Sequence, residues 1–288
     1  MVAPSKVLFC HQTWQLETTI QFVDTHQNFC DVVVDSTPFH PVSHIWPDHP
    51  ADKGTLATRT QQYEVNECLV GAIELSSMTL YVDKAIPVKR DAEGWVFVVV
   101  HRLAREAELA IGQTVLLTVD KPYQQSLSRG HSAGHIASLA LNKVLAESYW
   151  RKDADRRDGL GSYDFNSYAQ ELSVVSAECC FDRYRLGKTL KKRGLNTADV
   201  LANLNDIESR VNQQLAQWLA MPTDVEMKLE GPYLTSSRYW QCQLDGVNVV
   251  MPCGGTHINS TAEVSAMRVE LQAIESMYIE MHTHVIDQ

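Results

Sequence analysis

The chain has 288 residues, 44% of them hydrophobic, and a formal net charge of -10 at pH 7. This composition predicts a globular protein with a substantial core, in one large domain or two, and no run approaches the roughly eighteen consecutive apolar residues of a membrane span. The first residues lack the charged-then-apolar order of a signal peptide, so we expect a cytoplasmic protein. Proteins that bind nucleic acid gain affinity from Lys and Arg, so the acidic charge weighs against such a partner without excluding one.

Strand-like runs dominate the first part of the chain. Apolar and β-branched residues cluster at 31–35, 78–82, 95–100 and 115–119, with polar turns between them. The pattern predicts a small β-barrel-like N-terminal domain over residues 1–122. Between two of these runs lies Ser36-Thr37-Pro38-Phe39-His40-Pro41, whose prolines predict a loop at the end of a strand.

The rest of the chain mixes helical and strand-like patterns, so the fold class we predict is α+β. Apolar residues recur at helical spacing after Gly130 and from Ala198 to Leu219, and they alternate over 225–229. Two clusters are basic: Arg151, Lys152, Arg156 and Arg157, and then Arg183, Arg185, Lys188, Lys191, Lys192 and Arg193. Each cluster fits either a solvated face or a surface for an anionic partner.

Two short stretches carry residue types that bind metals. In Arg129-Gly130-His131-Ser132-Ala133-Gly134-His135 two imidazoles stand one helical turn apart, and in Cys253-Gly254-Gly255-Thr256-His257 a thiol and an imidazole flank glycines that let the loop fold without Cβ clashes. Either stretch by itself is weak evidence, because His pairs arise by chance and such a run is often only a turn. Together His131, His135, Cys253 and His257 suit one Zn2+ per chain. The other six cysteines show no disulfide spacing and are expected to be buried thiols.

These stretches resemble the His-Thr-Ala-x-His and Cys-Gly-Gly-Thr-His motifs of the alanyl-tRNA synthetase editing domain and of the free-standing AlaX trans-editing proteins, with Ser132 in the place of Thr. Residues 112–120 and 206–212 are similar to a strand and an Ile-Glu-x-x-Val-Asn helix of the same family. The resemblance implies that residues 123–288 form a two-layer α/β editing domain that holds zinc.

The loop at Thr37 extends the resemblance, since it is similar to the family's Thr-x-Phe-Tyr-Pro run, whose Thr contributes a hydroxyl to the amino-acid pocket. The family continues Gly-Gly-Gly-Gln-Pro-x-Asp-x-Gly, whereas this chain inserts residues 42–45 and then reads Trp46-Pro47-Asp48-His49-Pro50-Ala51-Asp52-Lys53-Gly54. His49 replaces Gln, and the three glycines are gone. The alternative is a rerouted loop that leaves His49 at the surface. The resemblance implies Thr37 and His49 as catalytic residues, and a substrate-binding set of Thr37, His49, Asp52, Gly254 and Gly255.

The activity implied by the resemblance is hydrolysis of the ester that joins a wrong amino acid, Ser or Gly, to the alanine tRNA. We therefore expect tRNA as a partner, and neither DNA nor a membrane. Four protein ligands leave zinc no open position, so either one ligand is loose or the ion mainly anchors the loop. Two alternatives are a zinc hydrolase of a free ester or amide, favoured by the acidic charge and the lost glycines, and a non-catalytic metal-binding module, favoured by the closed site.

Overall fold

Strands outnumber helices in both parts of the molecule, and the mixed architecture confirms the predicted α+β class. The structure, a computed structural model, describes residues 2–43 and 48–286. Its contacts separate one unit of Met1–Gln124, Leu229–Arg238 and Gly254–Thr256 from a second of Gln125–Lys228, Tyr239–Cys253 and His257–Gln288. Across the described ranges no helix is long and apolar enough to cross a membrane.

Ten strands are seen in the described residues of the first unit. They are β1 (Lys6–Val7), β2 (Gln15–Thr25), β3 (Phe29–Val34), β4 (Ser36–Thr37), β5 (Gly54–Ala57), β6 (Gln62–Val65), β7 (Glu67–Glu74), β8 (Thr79–Val82), β9 (Trp95–Ala104) and β10 (Thr114–Val119). Eight of them form an antiparallel sheet in the order β6-β5-β10-β2-β3-β9-β7-β8, and β1 pairs with β4 in parallel. The sheet curls, because edge strand β6 also contacts β9.

Strand β3 shows why this part of the sequence reads as a continuous apolar run. Val32 and Val34 belong to one buried cluster and Val33 to another, so both faces of the strand are covered. The chain leaves β3 directly into β4, where the side chain of Thr37 is fully buried. The fold therefore places Thr37 inside the first unit.

A glycine at the start of β5 lets two strands approach closely. Gly54 has φ +157°, and a Cβ built there would lie 2.1 Å from the carbonyl oxygen of Thr118 and 2.8 Å from the ring of Phe39. Only glycine fits this position, and this steric requirement accounts for a glycine at residue 54.

As far as residue 286, the second unit combines seven strands with five α-helices. The helices are α1 (Lys121–Ser148), α2 (Phe165–Ala169), α3 (Lys188–Arg193), α4 (Thr197–Ala202) and α5 (Leu204–Leu219), and the strands are β11 (Gln170–Ser176), β12 (Cys179–Arg185), β13 (Val225–Leu229), β14 (Arg238–Leu244), β15 (Val247–Pro252), β16 (Ala266–Ile274) and β17 (Tyr278–Ile286). One sheet runs β11-β12-β17-β16 and another β13-β14-β15. Helix α5 packs on β16, where Asn212 bonds both the carbonyl and the N–H of Val269.

The sequence predicts one helix from Ala198 to Leu219, and the structure has two. Helix α4 ends at Ala202 because Asn203 leaves helical geometry and its side-chain amide donates to the carbonyl oxygen of Asp199. Asparagine favours such local bonds over the helical ladder. The predicted core stripe is confirmed beyond the break, since the buried residues of α5 are Leu204, Ile207, Val211, Leu215 and Trp218.

Helix α1 is longer than the pattern after Gly130 suggests. It starts at Lys121, where the Asp120 carboxylate accepts from the N–H of Tyr123, and it continues through Arg129 and Gly130. A Cβ on Gly130 would lie 2.5–2.8 Å from backbone atoms of Ser176 and Cys179, so the helix packs directly on the backbone of the neighbouring hairpin. Gly130 is therefore required by packing rather than by a turn.

Replacing Gly130 with alanine should destabilise the protein, although the same change in an open helix stabilises it by about 1 kcal/mol. The added methyl meets backbone that cannot rotate away, and overpacking of this kind costs roughly 1–3 kcal/mol or more. Urea denaturation would measure the loss. The matched control is Gly134→Ala, whose methyl would meet the Cys180 side chain, with Sγ at 2.6 Å. A smaller loss is expected there, and equal losses would contradict the account.

Candidate metal centre and polar cluster

Three imidazoles in the second unit converge on one thiol. The Sγ of Cys253 lies 3.5 Å from Nε2 of His131, 3.3 Å from Nε2 of His135 and 3.2 Å from Nε2 of His257. Helix α1 supplies two of the rings from adjacent turns, and the chain just after β15 supplies the other two side chains. The four ligand atoms all lie within 4.8 Å of one another, so the structure brings together the whole predicted ligand set.

The distances from the sulfur to the three nitrogens fit a tetrahedral ion. Zinc lies about 2.3 Å from sulfur and about 2.0–2.1 Å from imidazole nitrogen, so tetrahedral angles put nitrogen and sulfur about 3.5 Å apart. The three observed nitrogen–sulfur separations of 3.2–3.5 Å lie close to that value. The cluster is placed to hold a metal ion.

A serine fixes the orientation of one ligand. Nδ1 of His257 lies 3.0 Å from the hydroxyl of Ser132, which also accepts from the N–H of Ile258 at 3.2 Å. A His that ligates through Nε2 must carry its proton on Nδ1, so the ring donates to Ser132 and turns its lone pair towards Cys253. In the sequence, Ser132 stands out only as the residue in the place of the family's Thr. In the structure, its hydroxyl orients the ring of His257.

The surroundings of His135 favour the neutral imidazole that metal ligation needs. Burial lowers the pKa of His135 to about 4, so its imidazole stays uncharged at neutral pH. The indole of Trp240, itself fully buried, lies 5.2 Å from the His135 ring and forms an apolar wall beside it. Trp240 carries no motif signal, because its place depends on the pairing of β14 with β15.

In the first unit, Thr37 lies in a buried polar cluster rather than in an open loop. Nδ1 of His101 lies 3.3 Å from the carbonyl oxygen of Val32, so Nδ1 is the protonated nitrogen and Nε2 accepts from the Thr37 hydroxyl at 2.8 Å. The same hydroxyl accepts from the N–H of Phe39 at 3.1 Å. One lone pair on Thr37 is left for a further donor. His101 has no motif around it, and its only signal in the sequence is an imidazole within the apolar run of β9.

His49 is buried, with 3% of its surface exposed, so the alternative that leaves it at the surface is wrong. Its Nδ1 donates to the carbonyl oxygen of Pro50 at 2.8 Å, and its Nε2 accepts from the Thr256 hydroxyl at 3.2 Å. Burial lowers the pKa of His49 to about 4. Residues 44–47, with Trp46 and Pro47, lie outside the described part of the chain.

Asp52 joins the same unit's polar cluster through a single carboxylate oxygen. Its Oδ2 accepts from the N–H of His40 at 2.7 Å and from the Gln124 amide at 2.6 Å, and Gln124 in turn accepts from the Trp14 indole. Its Oδ1 has no hydrogen-bond partner among the described residues. Burial raises the pKa of Asp52 to about 7, against the lowering effect of the two donors. His40 and Gln124, like His101, were missed because remote segments bring them to Asp52.

The raised pKa predicts how stability changes with pH. A carboxyl that is harder to ionise in the folded state stabilises the fold below its unfolded pKa, and that contribution is lost as pH rises through the folded pKa, here between about 4 and about 7. The loss has an upper bound of about 4 kcal/mol. Replacing Asp52 with Asn should therefore flatten the decline in unfolding free energy between these pH values. Urea denaturation of the parent and the variant across this pH range measures the effect, and a parallel slope for Asp52→Asn would refute the shift.

Gly254, one of the two loop glycines, departs from its expected steric role. A Cβ on Gly254 would find only the Arg238 guanidinium, at 3.9 Å, which is ordinary van der Waals contact. The expectation that Gly254 is needed to avoid a Cβ clash is therefore wrong. Gly254 and Gly255 both belong to the first unit, like Thr37, His49 and Asp52.

Comparisons with known proteins confirm the resemblance to alanyl-tRNA synthetase. The chain is 23% identical to alanine–tRNA ligase of Ignicoccus hospitalis over 92% of its length, 23% identical to that of Methanococcus maripaludis over 93%, and 27% identical to that of Thermotoga petrophila over 85%. It spans 23–24% of the length of these three relatives. No family model matches the chain.

Proposed function

We propose that this chain is a zinc-binding hydrolase that acts in trans on alanine tRNA mischarged with serine or glycine, and that it removes the wrong amino acid. The observation that carries the proposal is the convergence of His131, His135 and His257 on Cys253, in a chain similar to alanine–tRNA ligases along most of its length. We further propose an N-terminal barrel-like domain over residues 1–122 and an editing domain over residues 123–288.

Zinc is the proposed ion because one thiolate and three neutral imidazoles form a donor set that it prefers in tetrahedral sites. When bound, the ion supplies a cross-link between helix α1 and the loop after β15, and Lewis acidity only if one ligand leaves. Ser132 holds the His257 tautomer that this binding requires.

Thr37 and His49 are the proposed contacts of the aminoacyl group. The free lone pair of Thr37 can accept from the hydroxyl of a seryl substrate, and alanine has no such donor. For the seryl ester, a site built to bond a hydroxyl rejects the alanyl ester, which lacks it, by roughly 10⁴-fold or more; this selection applies to the seryl ester and not to the glycyl ester. Deacylation adds water across the ester: the water oxygen bonds to the carbonyl carbon, the bond between that carbon and the ribose oxygen breaks, and the ribose oxygen takes a proton from the water. Asp52, Gly254 and Gly255 complete the proposed substrate-binding set.

Two other functions have specific support. The charge of -10 and the missing glycines favour a hydrolase of a free ester or amide, and the closed ligand set favours a non-catalytic metal-binding module. Release of labelled serine from mischarged alanine tRNA, compared with turnover of small aminoacyl esters, separates the three. Turnover of the free esters alone would support the first alternative, and no turnover of either substrate would support the second.

A further inference from the structure

Helix α3 and the chain on either side of it form a concentrated positive surface within the second unit. A cavity of about 740 Å³ includes Arg156, Arg157 and Arg193 in its lining, and a second of about 350 Å³ includes Arg151, Lys152 and Lys191. Asp155 is the single carboxylate in the two linings, and Arg151 and Arg157 also pair with Asp199 and Asp153, so the six cations have three carboxylate partners in the ranges that the structure describes. The excess is notable in a chain whose formal net charge is -10. We call these six residues the cationic surface.

Backbone pairing holds the two basic sequence clusters together. Trp150 pairs with Leu195, and the N–H of Arg151 donates to the carbonyl oxygen of Gly194 at 2.8 Å. Gly194 ends α3 with φ +113°, and a Cβ there would lie 2.6 Å from the side chain of Lys152. The two cavities therefore share α3, which contributes Arg193 to one and Lys191 to the other.

Aromatic rings position two of the arginines. The guanidinium of Arg193 lies 4.4 Å from the ring centroid of Tyr168, and that of Arg157 lies 4.4 Å from the ring centroid of Tyr163. Stacking of this kind holds the planar donor fork in place before a ligand arrives, which reduces the entropy lost on binding. Rings beside fixed arginines are also a common arrangement for contacting nucleic acid.

The positive charge is available to a partner. Lys152, Arg156 and Lys191 form no ion pair among the described residues. Arg193 pairs with Asp155, but the Asp155 side chain is 94% exposed, so solvent screens the pair and a phosphate can replace it. Arginine forks match phosphate oxygens with paired hydrogen bonds.

We propose that the cationic surface binds the phosphodiester backbone of tRNA. The inference rests on the proposed deacylase function for the identity of the RNA, and it assigns the contact to a surface distinct from Thr37 and from the metal ligands. An acidic chain can bind a polyanion in this way, because the phosphates respond to the positive potential near the surface and not to the net charge of the whole chain.

The test is binding of uncharged alanine tRNA by the full chain as a function of salt. The triple variant Lys152→Gln, Arg156→Gln, Lys191→Gln should bind about 10- to 1000-fold more weakly, and the slope of log affinity against log salt should fall in magnitude by about 2–3. The control Lys84→Gln, Lys89→Gln, Arg90→Gln changes three exposed cations of the first unit and thus alters the net charge equally. It should bind like the parent.

The outcomes separate this inference from the proposed function. Unchanged binding by the first variant, equal losses in both variants, or no binding by the parent would overturn the assignment of the surface. A parent that binds tRNA through these residues but does not deacylate it would overturn the deacylase and leave the surface standing. A parent that deacylates, with an unchanged KM in the first variant, would overturn the surface and leave the deacylase.

Discussion

Replacing Cys253 with alanine is expected to remove the bound metal and to lower the thermal stability of the protein. Its thiol is the atom on which all three imidazoles converge, at 3.2–3.5 Å. Loss of residues that merely support a ligand costs about 10- to 100-fold in metal affinity, so loss of this ligand should cost at least about 100-fold. Because binding is coupled to the folding of the ligand loop, stability should fall with metal content.

The measurement is metal per chain by elemental analysis, with the melting temperature recorded in parallel. Cys242→Ala is the matched control, since it removes another thiol of the second unit, fully buried in β14 and outside the ligand set. That control should lose some core stability and keep its metal. Full metal content in the Cys253 variant would show that the thiol is not a ligand, and no transition metal in the parent would refute the site.

Replacing Thr37 with valine is expected to lower seryl deacylation about 5- to 150-fold while leaving tRNA affinity unchanged. Valine keeps the shape but removes the hydroxyl, so the proposed bond to the substrate is lost, along with those to His101 and the Phe39 N–H. Each unpaired buried group costs roughly 1–3 kcal/mol. Kinetics on seryl-tRNA and direct tRNA binding measure the two effects separately.

Two controls isolate the hydroxyl of Thr37 from general destabilisation. Thr37→Ser keeps the hydroxyl and should keep most of the activity. Thr18→Val removes another buried hydroxyl of the first unit, which accepts from the Ser36 N–H, and it should lower stability without a selective loss of deacylation. If Thr37→Val deacylates like the parent, Thr37 lies outside the substrate site.

The parts of the structure that the sequence predicts are those fixed by local spacing. Two imidazoles four residues apart on a helix must share a face, and the loop motif keeps Cys253 near His257. The ligand set could therefore be predicted from the sequence. The stripe of apolar residues along α5 was predicted for a similar reason, because only one face of the helix packs against the core.

The parts that the sequence did not predict depend on contacts between remote segments. The pKa of His49 falls to about 4 because folding removes the ring from water, and nothing in the local sequence indicates that burial. Burial also raises the pKa of Asp52, and its hydrogen-bond partner Gln124 is 72 residues away in the sequence. Gly130 gave no signal of its own, because the backbone on which it packs lies in the hairpin of β11 and β12.

The most direct measurement is the ratio of deacylation rates for seryl and alanyl esters on the same alanine tRNA, with purified metal-loaded protein. Hydrolysis of the seryl ester well above its spontaneous rate, with the alanyl ester spared by roughly 10⁴-fold or more, is the expected result for a pocket that bonds the hydroxyl. Equal hydrolysis of the two esters would contradict the proposed pocket, and no hydrolysis of either the seryl or the glycyl ester would contradict the proposed function.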